Sequence, residues 1–420
     1  MDLAIKNGTI VKIDTEINSQ SKEIIDCTNL HILPGLIDGH VHFREPGLCY
    51  KEDLYTGSLS AVHGGVTSFL EMPNTKPLTI TKETLQEKVN LAKQKSLANF
   101  AFFLGATDSN LQELINAHLI PGCCGIKVFL GSSTGKLLLY NDQKLLEVLE
   151  NTTLPISFHA EDEILLNQRL YIQEEATSVY DHLKWRNTNT AIQATKKIIN
   201  LAKQAKRKIN LLHISTKEEM DFLRENKQYC NVEITPQHLS LSSPTCYDEL
   251  NTLAQMNPPI REQLHQDSLW NGIQDGVVDF IASDHAPHAM SEKVNKYPLS
   301  PSGIPGVQTT LSIMLDHVAK ERLSLPNLTT LLSFNPANIY QLKNKGLLKC
   351  GFDADIAIVD TKKKHIINND QIKSKCGYTP FNGKELIGKH EFTIIAGNII
   401  VKNDQLMNNI LGTTLEMDRS

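Results

Sequence analysis

No stretch of the 420 residues approaches the roughly 20 apolar positions that span a bilayer, which excludes a membrane-spanning helix. Excess positive charge is also missing. With 42 Lys and Arg against 47 Asp and Glu the formal net charge is -5, so no basic field is available to hold a nucleic-acid backbone. Eight Cys occur without any C-x-x-C spacing, and the adjacent Cys123-Cys124 do not make a metal-ligand pair, so the thiols are read as reduced and mostly buried. The opening residues Met1 to Lys6 lack a basic segment followed by an apolar core and a cleavage site, and a cytoplasmic location is expected. A Gly-rich phosphate turn after a first strand is absent as well, which counts against an open doubly wound sheet. What is present is ordinary globular usage, 40% hydrophobic and 21% charged, in a length that suits one large domain and a smaller companion. Small molecules are the expected partners.

Asn7-Gly8 lies between two short β-type runs and predicts a hairpin, because both turn positions need positive φ. Asp355 to Val359 and Thr393 to Val401 repeat that texture near the other end, with a turn expected at Gly397-Asn398. Residues 1–33 and 346–420 are therefore expected to share one small β-sandwich domain. Between them, eight apolar β-branched runs each end in polar or ionisable residues: Pro34 to Glu45, Thr67 to Asn74, Asn99 to Thr107, Gly125 to Gly131, Pro155 to Glu161, Ile209 to Thr216, Asn231 to His238 and Val277 to His288. Segments with helical apolar spacing follow most of them, such as Leu85, Val89 and Ala92, or Ile192, Ile199 and Ala202. Eight strand-helix units over 34–345 predict an α/β fold, a (β/α)8 TIM-type barrel, whose reactive side chains sit at the C-terminal strand ends.

The ionisable residues cluster at those ends. His40-Val41-His42 closes the first run, and a strand period of two turns both imidazoles, and Arg44 after them, to one face. Alone, H-x-H is more often two surface or core histidines than a zinc site. His159, His213 and Asp284 close the fifth, sixth and eighth runs, where a barrel supplies ligands. Lys127 stands inside an apolar strand, which is costly for an ammonium unless it is paired or neutral. It either snorkels to a strand end or pairs with a carboxylate, or it loses its proton and takes up carbon dioxide, giving an anionic carbamate able to bridge two metals.

Asp38 to Gly47 (DGHVHFREPG), Lys51-Glu52-Asp53, Gly64 to Thr67, Met72 to Thr75, Gly125 to Gly131, His159 to Asp162, Asn257 to Arg261, Ser283 to His288, Gly303 to Gly306 and Gly351 to Asp355 are similar, in order, spacing and identity, to the dihydroorotase family of the amidohydrolase superfamily. The likeness covers nearly the whole chain. It implies a cyclic amide hydrolase with two Zn2+, in which His40, His42 and Asp284 bind one metal, His159 and His213 the other, and N6-carboxylated Lys127 bridges. Some bacterial members carry Asp where Lys127 stands. It further implies that Arg44, Asn74 and His288, helped by Asn257 and the backbone near Gly303, hold a substrate carboxylate. Arg44 suits that role independently, since its guanidinium fork matches a carboxylate. Asn74 as a turn former, His288 as a loop residue and Asn257 as a strand terminator are the plain alternatives.

The implied reaction interconverts N-carbamoyl-aspartate and dihydroorotate, with Asp284 carrying the proton between water and the ring nitrogen. A homodimer and association with aspartate transcarbamoylase belong to the same set of expectations. The rival readings are an allantoinase or dihydropyrimidinase, whose substrates lack the ring carboxylate, and a non-catalytic scaffold, which would be expected to have lost ligands. His238 and His285 are read as structural, His285 because it alternates away from Asp284. Ala289 to Ser302, with Lys293 and Lys296, reads as a solvated loop and a candidate to close over substrate.

Overall fold

The computed structural model describes residues 1–132 and 137–419. The chain opens with the hairpin β1 (Asp2–Lys6) and β2 (Thr9–Asp14), turned at Asn7-Gly8 with φ of 52° and 80°, as the sequence predicts. After β3 (His31–Pro34) come eight parallel strands: β4 (Leu36–Val41), β5 (Val66–Glu71), β6 (Asn99–Gly105), β7 (Cys123–Phe129), β8 (Ile156–His159), β9 (Ile209–Leu211), β10 (Cys230–Ile234) and β11 (Phe280–Ile281). They pair in chain order, and the His42 N–H donates to the His285 carbonyl at 2.8 Å, which brings the first strand's end against the last. This is the expected (β/α)8 barrel.

Its strands read as apolar runs because both faces are covered. Every residue of β4 to β9 is buried. In β6, Phe100, Phe102 and Leu104 pack outward with Leu85, Val89 and Ala92 of the helix Lys82–Lys95, while Ala101 and Phe103 face the barrel interior. Each such large side chain contributes roughly 1.5–3 kcal/mol by leaving water. Tyr340, Leu342 and Leu415 join the interior cluster. The segment that carries Leu415 is laid along β6 by Phe100 N–H to Thr413 C=O at 3.1 Å and Leu415 N–H to Phe100 C=O at 2.9 Å. Where β3 gives way to β4 only glycine fits: a Cβ on Gly35 would stand 2.2 Å from Thr67 Oγ1.

The chain ends share a β layer. β12 (Ile356–Ile366), β13 (Glu385–Ile395), β14 (Asn398–Lys402) and β15 (Gln405–Leu406) form an antiparallel sheet with β3 on its edge, in the order β15-β14-β13-β12-β3. The β1–β2 hairpin docks beside it through Ile10 N–H to Phe352 C=O at 2.9 Å. The second turn falls one residue earlier than the sequence predicts. Ala396 and Gly397 carry the positive φ, 47° and 75°, and Asn398 already belongs to β14. The segment Ala289 to Ser302 also departs from expectation, because Lys293 is fully buried. Its ammonium donates to the carbonyls of Gln255 at 2.7 Å and Pro301 at 2.9 Å, which pins the loop rather than solvating it. No helix among the described residues is long and apolar enough to cross a membrane.

Candidate metal centre

Four histidines and one aspartate meet at the C-terminal end of the barrel. His40 lies in β4 and His159 ends β8, whereas His42, His213 and Asp284 lie just past the ends of β4, β9 and β11. Nε2 of His40 and of His42 stand 3.4 and 3.2 Å from Asp284 Oδ1, and His159 Nδ1 stands 3.0 Å from His213 Nε2. Ligand-capable atoms of His40, His213 and Asp284 all lie within 4.8 Å of one another. Lys127, in β7, is fully buried, and its Nζ has no hydrogen-bond partner among the described residues.

The outer nitrogens of three rings are held from behind. His40 Nδ1 meets Glu233 Oε1 at 2.9 Å, His42 Nδ1 meets Asn74 Oδ1 at 2.7 Å, and His159 Nε2 meets Glu161 Oε2 at 3.0 Å. An acceptor on one ring nitrogen places the proton there and leaves the other nitrogen's lone pair for a cation. His40 and His42 therefore present Nε2 to the centre, and His159 presents Nδ1. The sequence reading assigned neither Glu233 nor Glu161. The structure also puts the Asn74 oxygen on a histidine.

Electrostatics agree with this arrangement. Burial pushes His40 down to about 3 and His42 down to about 4, so both are neutral at physiological pH, the form that ligates a metal. Burial raises the Asp284 carboxyl, but His40 and His42 outweigh it and hold the group at about 2. Burial drives the Lys127 ammonium down, partly offset by Glu233 and Asp284, to about 7, so free amine is present at neutral pH. An orphaned buried amine costs about 1–3 kcal/mol. Neutral imidazoles, a carboxylate and an amine open to carboxylation make a donor set that suits zinc.

Arg44 is buried, and its Nε donates to Pro287 C=O at 3.0 Å while its Nη2 stands 3.2 Å from His288 Nε2. Strand alternation does not carry it there, because β4 ends at Val41 and the Arg44 backbone is left-handed, with φ of 65°. Asn257 Oδ1 is buried without a hydrogen-bond partner among the described residues, and the neighbouring Pro258 carbonyl meets His238 Nε2 at 3.2 Å. Gly303 uses its own N–H on Gln255 C=O at 2.9 Å. At its φ of 148° a Cβ would lie 2.9 Å from His288 Nε2, so glycine there makes room for the ring. His285 faces away from the centre, as expected, packing against Phe43 and accepting from Gly306 N–H at 3.1 Å.

The chain belongs to the amidohydrolase family, whose model matches residues 31–400. The fold and the metal-ligand cluster at the barrel mouth fit a metal-dependent hydrolase of that family. More particularly, the chain is 35% identical to the dihydroorotase of Methanosphaera stadtmanae, over 97% of this chain and 94% of that one. It is 34% identical to the dihydroorotase of Methanosarcina acetivorans, over 96% and 89%. In three dimensions it is similar to the L-hydantoinase (dihydropyrimidinase) from Arthrobacter aurescens, with a TM-score of 0.94 at 24% identity, covering 98% of this chain and 95% of that one. That likeness speaks for the fold.

Proposed function

We propose that the chain is a zinc-dependent dihydroorotase, which cyclises N-carbamoyl-L-aspartate to L-dihydroorotate plus water, reversibly, in pyrimidine biosynthesis. The observation that carries this is the buried Arg44 guanidinium against His288, close enough to Asp284 to feel its charge: a seat for a carboxylate beside a metal-ligand cluster. Full-length relatives named dihydroorotase support the reading.

His40, His42 and Asp284 would hold one zinc, His159 and His213 the second, and carboxylated Lys127 would bridge them. When bound, the metals supply Lewis acidity at the amide carbonyl and activate water at neutral pH. Asp284, ionised and aimed at the centre, takes the proton of the attacking water and delivers it to the departing ring nitrogen. In the cyclising direction it accepts that proton from the carbamoyl nitrogen. Arg44, His288, Asn74 and Asn257 orient the ring carboxylate, with Gly303 leaving space. Residues 34–345 carry this chemistry, and 1–33 with 346–420 form the small β domain. The eight free cysteines support a reducing, cytoplasmic setting. A homodimer and contact with aspartate transcarbamoylase complete the proposal.

The test assays purified protein of measured zinc content on dihydroorotate, dihydrouracil and allantoin in parallel. Turnover of dihydroorotate is expected. Preference for dihydrouracil or allantoin would move the assignment to those cyclic amidases, and zinc-loaded protein inactive on all three would overturn it.

A further inference from the structure

Behind His288, on the ring edge opposite Arg44, stands Lys51. It is nearly buried, and its Nζ lies 3.0 Å from His288 Nδ1 and 3.0 Å from Glu292 Oε2. An ammonium has donors only, so Nδ1 must be the acceptor and the imidazole proton sits on Nε2. That Nε2–H reaches the Ser302 carbonyl at 3.0 Å and stands 3.2 Å from Arg44 Nη2, itself donor-only. Arg44 Nη2 and this Nε2–H, which the Ser302 carbonyl also accepts, thus sit side by side as two donors. Arg44 and Lys51 put positive charge on two edges of the ring, against Glu292 at 3.9 Å. Such a seat is complementary to an anion.

We propose that Lys51 is a positioning residue for the substrate carboxylate: by donating to His288 Nδ1 it fixes the proton on Nε2, so that His288 and Arg44 offer donors to one carboxylate. Without Lys51 only the Ser302 carbonyl holds that proton on Nε2, and Glu292, 3.9 Å from Nδ1, competes for it, which would turn the Nε2 lone pair toward the anion. This inference rests on the dihydroorotase reading. Neither the ligand cluster nor the family match assigns Lys51 a role. Its plain alternative is an ion pair that ties Lys51 to Glu292, which Tyr50 also contacts through its hydroxyl at 3.0 Å.

The two are separated in zinc-loaded full-length protein by Lys51→Met, Lys51→Gln, Lys51→Arg and Glu292→Gln. Lys51→Met is expected to raise KM for dihydroorotate about tenfold, the scale of one charge-assisted hydrogen bond. Its kcat should stay within about threefold, with zinc content unchanged. Lys51→Arg should restore most of the affinity, Lys51→Gln, which still donates, should fall between, and Glu292→Gln should stay near wild type. The inference is overturned if Met and Gln at position 51 leave KM unchanged, or if Glu292→Gln reproduces the KM rise. Should Lys51→Met not fold, the Gln and Glu292 variants decide the matter alone. Wild-type protein is measured first. If it does not act on dihydroorotate the functional reading itself fails, whereas an unchanged KM in variants of an active enzyme fails Lys51 alone.

Discussion

Arg186→Met should damage the molecule more than any surface charge change, because it strands a carboxylate that has no exposure to water. Arg186 Nη1 lies 2.5 Å from Glu161 Oε2, and Arg186 and Glu161 are 2% and 0% exposed. Burial raises the Glu161 carboxyl, but Arg186 and then His159 outweigh it and hold it at about 2, against an ordinary 4.5. A folded value below the unfolded one stabilises above the unfolded value, and the gain is lost as pH falls through the folded one. At about 1.4 kcal/mol per unit, those values make the contribution about 3 kcal/mol at neutral pH. Breaking a buried pair costs roughly 3–5 kcal/mol, so the two routes agree. In the variant the sign inverts: burial now dominates, the Glu161 value rises, and stability is lost as pH increases through it. Urea unfolding of variant and wild type, compared at pH 7 and pH 5, should show a deficit of about 3 kcal/mol or more that shrinks at the lower pH. Adding Glu161→Gln should recover part of the loss at pH 7. A deficit below about 1 kcal/mol, the range of an exposed pair, or one indifferent to pH, would refute the reasoning.

Other substitutions probe the centre directly. Asp284→Asn is expected to fold and to lose at least about 100-fold in kcat in both directions, the scale of a missing general acid-base group, as steady-state assays of ring opening and closure would show. Lys127→Met removes the buried amine without opening a cavity, and metal analysis should find zinc reduced and turnover abolished, with no rescue by added bicarbonate. Gly303→Ala puts a Cβ 2.3 Å from the Ala286 carbonyl and forces an unfavourable backbone conformation. It should destabilise by about 1–3 kcal/mol in urea and raise KM through displacement of His288.

Much of the barrel was legible because its physics is local. Strands covered on both faces must be apolar throughout, and the helix Lys82–Lys95 shows its buried edge as Leu85, Val89 and Ala92. The ligand candidates were legible for a related reason: a histidine or aspartate closing an apolar run interrupts the pattern that burial imposes. Lys293 misled because a lysine between prolines in a polar stretch reads as solvated, and its carbonyl partners, Gln255 and Pro301, leave no mark in a sequence. Glu233 was a signal available and unused. A carboxylate inside the run Asn231 to His238 is as anomalous as Lys127 in its own strand, and both lie buried beside the same centre.

What sequence periodicity could not show is how the side chains are aimed. Alternation holds only while the ladder lasts, and Arg44, His213 and Asp284 lie beyond it with φ of 65°, 38° and 43°. A left-handed backbone at a residue other than glycine costs on the order of 1–3 kcal/mol and persists only where surrounding contacts over-determine it. Those contacts come from distant strands. His213 N–H is fixed by the same Glu233 oxygen that holds His40, and the chain at His42 is fixed by the carbonyl next to Asp284. Glu233 therefore sets two of the candidate ligands with one carboxylate, His40 lying 193 positions away in the chain. The centre's precision comes from barrel strands far apart in sequence bracing one another, a relation that exists only once the sheet has closed.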